Sequence, residues 1–416
     1  MRDLNTKRSV TSTFRLSLYV FALAADAYGQ VLLGGTGSAG NFHMFPTDLS
    51  ILEAGEVRKD LPCTAISSKS VLGFDLRYHG GYEVSLPLKD LAGSDNLLTV
   101  IFLVIPVEPK GEPVYLMQRF NVPQIPEDAK GDAYLQGSFD LGEGKYHVDW
   151  LMRDRTERVC ANSWDVDAAL PAKDKQIALT LNAGEIRAVD REQFREEPPV
   201  ARANEDPPLN VKVLVNFAPQ NSKSATLQPV DTTALVSILR NISREPRIGR
   251  FSLVAFNLQE QRVLYRQDNA DKIDFPSLGE ALQSLNLGTV DLRRLSQKNG
   301  DTEFLANLIR DEVKPSASAA PDAVVFAGPK ALLEENIPQD SLKQIGDLQC
   351  PVFYMNYNLS PQAVPWSDTI SKAVKFMKGQ EYTISKPRDL WFAVTEMVSR
   401  IVKSKQGRRS ATSPSE

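Results

Sequence analysis

The sequence is poor in the residues on which most enzyme mechanisms depend. Its 416 residues include only three histidines and three cysteines, and no histidine follows His147. A Ser-His-Asp or Cys-His site in the C-terminal half would need His43, His79 or His147 from elsewhere in the chain. The GxSxG motif of nucleophile-elbow hydrolases and the GxxxxGK[ST] phosphate loop are also missing. We therefore predict a non-enzymatic protein with no catalytic residues and no cofactor.

Clustered positive charge and metal-ligand spacings are also lacking. The formal net charge of −4 argues against nucleic-acid binding, which needs clustered cations. No CxxC spacing indicates structural zinc. His147 and Asp149 lie two apart on one strand face, but no third ligand is evident, so a solvated face is the favoured interpretation. The sequence thus predicts no metal site.

The N-terminal segment has the pattern of a secretory signal peptide. Residues 1–29 combine four basic residues with the apolar run Leu16–Ala25 and end in small residues. Ten residues rise only about 15 Å as a helix, too short for a bilayer core of about 30 Å. We expect export to the periplasm, cell envelope or medium, with no stable membrane span after cleavage. A buried N-terminal helix is the alternative.

Export changes how the cysteines are interpreted. In an oxidising compartment Cys63 and Cys160 are candidates for a disulfide, whereas Cys350 leads into an apolar run and is expected to be a buried thiol. The stretch 35–40 matches GxGxxG, but a dinucleotide fingerprint needs a strand before it and a helix after it. We therefore predict that residues 30–44 form a flexible mature N-terminus.

Two folded regions follow. Residues 45–189 are rich in short apolar and alternating runs such as 144–152, GKYHVDWLM, which predict an all-β antiparallel sandwich. Residues 190–210 have the proline-rich, charged composition of a solvated linker. Residues 211–403 alternate buried strands with amphipathic helices, which predicts a doubly wound, mostly parallel α/β sheet. The tail 404–416 is predicted to be disordered.

The arrangement of residues 211–402 resembles a von Willebrand factor type A domain. A central apolar strand is followed by a helix, a hairpin, a "GDT" that enters a helix, a second central strand and a final helix. The resemblance implies that the family's metal-ion-dependent adhesion site would fall on Asn216, Ala218, Gln220 and Thr302, with its aspartate position at Ala327 or Gly328. Alanine and glycine have no ligating side chain and neutral amides do not replace carboxylates, so the resemblance implies a degenerate site without metal.

In open α/β sheets, ligands bind beyond the carboxyl ends of the strands. We therefore predict that any ligand contacts the loop after the strand Val211–Phe217, with these candidate residues: Asn216, Gln220, Asn221, Ser222 and Thr302. A plain turn is the competing interpretation of this loop. The leading function is an exported binding or adhesion-type protein that acts on an unidentified protein partner. The alternatives are an enzyme or small-ligand binder with an interdomain cleft, and a structural envelope component.

Overall fold

The computed structural model describes most of the chain, namely residues 30–33, 38–39, 42–93, 96–189, 192–203, 208–221, 224–287, 299–313, 320–333, 335–346, 348, 350–359 and 367–412. The expected signal peptide, candidate Ser222 and residues 413–416 lie outside the described residues. Among the described helices, none is both long enough and apolar enough to cross a membrane. Internal contacts divide the chain into two units: unit 1 is Met1–Ser70, His79–Ala169 and Ala183–Val189, and unit 2 is Val71–Tyr78, Leu170–Asn182 and Asp190–Glu416.

Unit 1 is built almost entirely from strands. One sheet has the order β1-β8-β7-β10-β11-β4 and a second has the order β12-β9-β6-β5, while β2 and β3 form a small ribbon. The elements are β1 (Val31–Leu33), β2 (Ser38–Ala39), β3 (Phe42–His43), α1 (Pro46–Ala54), β4 (Arg58–Lys59), β5 (Thr64–Leu72), β6 (Tyr78–Pro87), β7 (Asn96–Glu108), β8 (Val114–Val122), β9 (Asp132–Leu141), β10 (Gly144–Arg153), β11 (Val159–Ala168) and β12 (Ile186–Ala188).

An aromatic core joins the two sheets of unit 1. The Tyr82 ring of β6 lies 5.3 Å from Trp150 of β10 and 5.8 Å from Phe102 of β7, centroid to centroid. Gly137 of β9 makes room for this packing, because a Cβ there would stand 2.4 Å from the Tyr82 ring. The prediction of an antiparallel β-sandwich is therefore confirmed for this region.

The opposite face of the six-stranded sheet is covered by helix α1. Ile51 and Leu52 pack there against Ile101 and Leu151. Nearby, β11 pairs with β10 in antiparallel register, with Met152 opposite Cys160. Cys160 is joined to Cys63 by a disulfide, with the two Cα atoms 6.3 Å apart.

Unit 2 contains a mixed six-stranded sheet in the order β15-β14-β13-β16-β17-β18. Its elements are β13 (Leu209–Asn216), α2 (Pro229–Arg244), β14 (Ile248–Asn257), β15 (Arg262–Ala270), α3 (Phe275–Leu282), α4 (Gly300–Val313), β16 (Ala323–Pro329), α5 (Gln339–Lys343), β17 (Val352–Tyr357), α6 (Thr369–Phe376), β18 (Gln380–Ile384) and α7 (Pro387–Thr412). Strands β16 and β17 are buried along their whole length. Such strands show no alternating pattern in sequence because both faces are covered.

The predicted fold class is corrected by the sheet topology. For residues 211–403 we expected a doubly wound, mostly parallel α/β fold of the von Willebrand A type, beside an antiparallel sandwich, and the doubly wound class is wrong for this chain. Two of the three large sheets are antiparallel, the third is mixed, and only 27% of the chain is helical. In the mixed sheet, β15 runs antiparallel to β14 because the two are joined by the tight turn 258–261. Local apolar runs identify buried strands, but they do not fix the class of the whole sheet.

Two segments expected to be solvated are folded onto unit 2. Within the predicted linker, Glu197 pairs with Arg240 and Arg244 of α2. In the predicted disordered tail, α7 continues to Thr412, and Lys405 pairs with Asp322 at 2.7 Å. These corrections share one physical reason: ion pairs between residues distant in sequence hold polar segments against the fold.

Candidate functional site at the carboxyl edge of the mixed sheet

A small cavity lies where the parallel strands β13, β16 and β17 end. Because parallel strands end at the same edge of a sheet, the segments that follow them converge there. The cavity has a volume of about 150 Å³. We call it the edge cavity, and it is lined by Asn216, Ala218, Pro219, Gln220, Leu258, Gln259, Pro329, Lys330, Ala331, Leu332, Leu333, Tyr357 and Asn358.

The lining of the edge cavity is largely apolar. Lys330 is the only charged group among the described lining residues. Leu332 stands at this site with 58% of its surface exposed, next to the apolar lining. A cavity of this volume suits one apolar group of roughly the size of benzene. This volume is close to that of one apolar side chain and lies below the range of about 300–1,000 Å³ that is usual for small-molecule sites.

Asn216 helps to form the cavity wall and is fixed by the strand beside it. Its Oδ1 accepts a hydrogen bond from the Leu258 amide at 3.3 Å, and the side chain is buried. Gly328 lies directly against it with a φ of 154°, and a Cβ at that position would be 2.9 Å from the Cβ of Asn216. This close approach and the positive φ together favour glycine at position 328.

Gln220 connects two strand ends. Its Nε2 donates to Asn358 Oδ1 at 2.9 Å, and its Oε1 accepts from the Leu359 amide at 3.4 Å. Its backbone amide donates to Asp231 Oδ1 at 3.4 Å. Both ends of the Gln220 amide group are thus used inside the protein.

Asp231 is the buried centre of this network. It lies in the first turn of α2 and completes a capping box with Gln228, whose backbone amide donates to it. The Tyr357 hydroxyl donates to Asp231 Oδ1 at 2.7 Å. Burial, and then this hydrogen bond, raise the pKa of Tyr357 well above its ordinary value. Hydrogen bonds from Gln220 to Asp231 and to Asn358 therefore hold the loop after β13 in place.

The predicted candidates do not all meet at the edge cavity. Asn216 and Gln220 line it, whereas Asn221 is exposed and is not part of the lining. Thr302 is also outside the lining, and its hydroxyl donates to the Glu335 carbonyl at 3.2 Å. Sequence reasoning missed Leu332 as a candidate. The sequence signal that could have identified Leu332 is its position, three residues after the end of the buried strand β16.

The two histidines with described side chains pair with acids on their own sheets in unit 1. His79 Nδ1 lies 2.9 Å from Asp140 Oδ1. His147 Nδ1 lies 2.7 Å from Asp165 Oδ1, and its Nε2 lies 3.4 Å from Asp149 Oδ1. The Asp165 hydrogen bond is the main cause that raises the pKa of His147. The proposed approach of a histidine to the Asn216 loop remains an untested prediction.

Comparison with known proteins gives no family. No family model matches the sequence, and no curated protein matches it either. Among solved structures, the D319A mutant of the PilB minor pilin from Streptococcus sanguinis shares 8% identity over 86% of this chain and 82% of that chain, with a TM-score of 0.28. A glycosyl hydrolase family 2 member from Bacteroides cellulosilyticus shares 8% identity over 77% of this chain and 37% of its own, with a TM-score of 0.18. Likeness at this level carries no argument about function.

Proposed function

We propose that this chain is an exported, non-enzymatic binding protein that holds a protein partner at the edge cavity. The observation that carries the proposal is a small, largely apolar cavity beside the exposed Leu332, at the edge where the parallel strands β13, β16 and β17 end. An apolar side chain of the partner enters the cavity, and Leu332 packs beside it. Interfaces are commonly organised around one such buried anchor.

The chemistry of the lining supports binding rather than catalysis. Its amide groups at Asn216 and Gln220 are engaged in internal hydrogen bonds, and Lys330 is its only charged residue among those described. General acid–base catalysis needs a titratable group aimed at the substrate. The lining instead offers shape and apolar surface, which suit a side chain of a partner.

A photocrosslinking amino acid at Gln259, which is exposed and lines the edge cavity, tests the proposal in envelope fractions of the native cells. We expect a discrete adduct of constant mass. Leu332→Asp should reduce its yield by about tenfold or more, because a charge replaces the apolar contact beside the anchor. Since Leu332 is exposed, this change leaves the fold intact.

Val230→Asp is the matched control. Val230 is also an exposed aliphatic residue of unit 2, at 51%, and does not line the edge cavity. It should leave the adduct yield unchanged. An adduct that survives Leu332→Asp, or that both variants remove equally, would contradict binding at this cavity.

A further inference from the structure

Unit 2 contains a second and larger concavity, of about 870 Å³. It lies among α3, the segment before α2 and residues 192–194, and its described lining shares no residue with the edge cavity. Small-molecule sites usually have volumes of about 300–1,000 Å³. We call it the α3 pocket. Its size exceeds what one side chain fills, so it is suited to a different kind of ligand.

The wall of the α3 pocket is apolar and includes Phe194, Leu227, Leu282 and Leu285. Phe194 reaches this position because Gly279 of α3 has no side chain. A Cβ there would stand 2.7 Å from the Cβ and Cγ of Phe194. The aromatic ring is thus laid directly against the helix backbone and forms a flat apolar wall.

The segment that carries Phe194 is held in place by several specific contacts. Gln193 Nε2 donates to Thr233 Oγ1 at 2.9 Å, and its carbonyl accepts from Arg240 Nη2 at 3.0 Å. Next along the chain, Glu197 pairs with Arg240 and Arg244 at 2.7 and 2.6 Å. These contacts fix the wall before any ligand arrives, and a preorganised wall avoids an ordering cost on binding.

The charged residues of the α3 pocket that the structure describes are all acidic. Glu192 and Glu280 are the only charged residues of its described lining, and no cation is among them. Carboxylates at the rim of an apolar concavity favour a ligand with a positive charge and disfavour an anion. We propose that the α3 pocket binds a small apolar molecule that carries one ammonium group. This inference does not depend on the function proposed for the edge cavity.

Three probes with the same apolar body test the proposal on the full chain: 4-phenylbutylamine, 4-phenylbutanol and 4-phenylbutanoate. Ligand-detected NMR titration gives the Kd of each, and hydrogen exchange of Phe275–Leu282 locates the site. We expect the amine to bind with a Kd of about 1 mM or below. It should bind about three- to tenfold more tightly than the butanoate, because exposed charge pairs contribute modestly.

Two variants separate the contributions of charge and shape. Glu280→Gln should weaken amine binding by about threefold and leave the alcohol unchanged, while Glu303→Gln, an exposed glutamate outside the lining, should change neither. Ala225→Trp, at an exposed lining position, should weaken all three probes by blocking the pocket. Three results would each overturn the proposal. They are an amine titration that does not saturate, a butanoate that binds as tightly as the amine, and probe binding that is unchanged in Ala225→Trp.

Discussion

A buried ionic cluster in unit 2 gives a prediction that can be worked from its geometry. Glu312 of α4 is almost fully buried, its side chain being 3% exposed, and it pairs with Lys212 of β13 at 2.6 Å and with Arg266 of β15. Burial alone would raise the pKa of Glu312. The hydrogen bonds from Arg266 and Lys212 outweigh it and hold the pKa below its ordinary value.

The cost of Glu312→Gln follows from what it leaves behind. Breaking a buried ion pair costs about 3–5 kcal/mol, because the remaining charge is uncompensated, while an exposed pair contributes at most about 1 kcal/mol. The side chains of Lys212 and Arg266 are 17% and 46% exposed. Water therefore solvates their remaining charges and offsets part of the lost stability. Glutamine also keeps one acceptor. We therefore expect a loss of about 2–3 kcal/mol in the stability of unit 2.

Native-state hydrogen exchange of the β13 peptide is the appropriate assay, because a chain of two units does not unfold in one two-state step. The expected loss corresponds to exchange that is about 30- to 150-fold faster. Glu303→Gln on the same helix is exposed and should stay within about 0.5 kcal/mol of wild type. If the two variants behave alike, the cluster does not stabilise the sheet.

The same cluster predicts a pH dependence. The pKa of Glu312 is lower in the folded state than in the unfolded chain. The ionised Glu312 therefore stabilises unit 2 fully above the unfolded pKa of about 4.3, and this stabilisation is lost as the pH falls through the folded-state pKa. The difference between wild type and Glu312→Gln should therefore shrink below about pH 4. A difference that stays constant at acid pH would show that the charge is not its cause.

Three further changes test other parts of the structure. Asp231→Ala should cost about 2–3 kcal/mol, since it leaves the buried Tyr357 hydroxyl without its acceptor; thermal unfolding and exchange in residues 217–221 measure this. Gly328→Ala should cost about 1–3 kcal/mol, because the new Cβ would be placed at 2.9 Å from the neighbouring strand; unchanged stability would show that the strands can separate there. Asp165→Asn should lower the pKa of His147 in an NMR titration. In wild type, the His147–Asp165 pair contributes its whole stabilisation below about pH 6.5, and this stabilisation is lost as the pH rises through the folded-state pKa of His147.

Local patterns were sufficient to predict the sandwich. In the run 144–152 the residues Tyr146, Val148 and Trp150 alternate with polar ones, and all three are buried in β10. Successive side chains of a strand point to opposite faces, so an alternation of apolar and polar residues predicts the buried face without information from distant parts of the chain. The pairing of β10 with β11 also follows from adjacency in sequence, since only a short polar turn separates them.

Long-range ion pairs were not readable from the sequence. The acceptors that hold Lys405 and Arg408 are the carboxylate oxygens of Asp322, more than 80 positions earlier in the chain. Composition alone assigns such a polar segment to solvent. The error in fold class has a related origin, because a run of apolar residues shows that a strand is buried but not which sheet type the whole chain forms.

The carboxyl ends of the strands drew attention to the loop after β13, and the edge cavity lies beside that loop. We expected the loop after β13 to offer its amides to a ligand. Gln220 instead uses both ends of its side-chain amide on Asn358 and Leu359, and freeing a buried amide costs about 1–3 kcal/mol. A ligand that took these groups would first have to meet that cost. In the partner binding that we propose, the contact therefore relies on the apolar part of the lining together with Leu332, whose side chains make no internal hydrogen bonds.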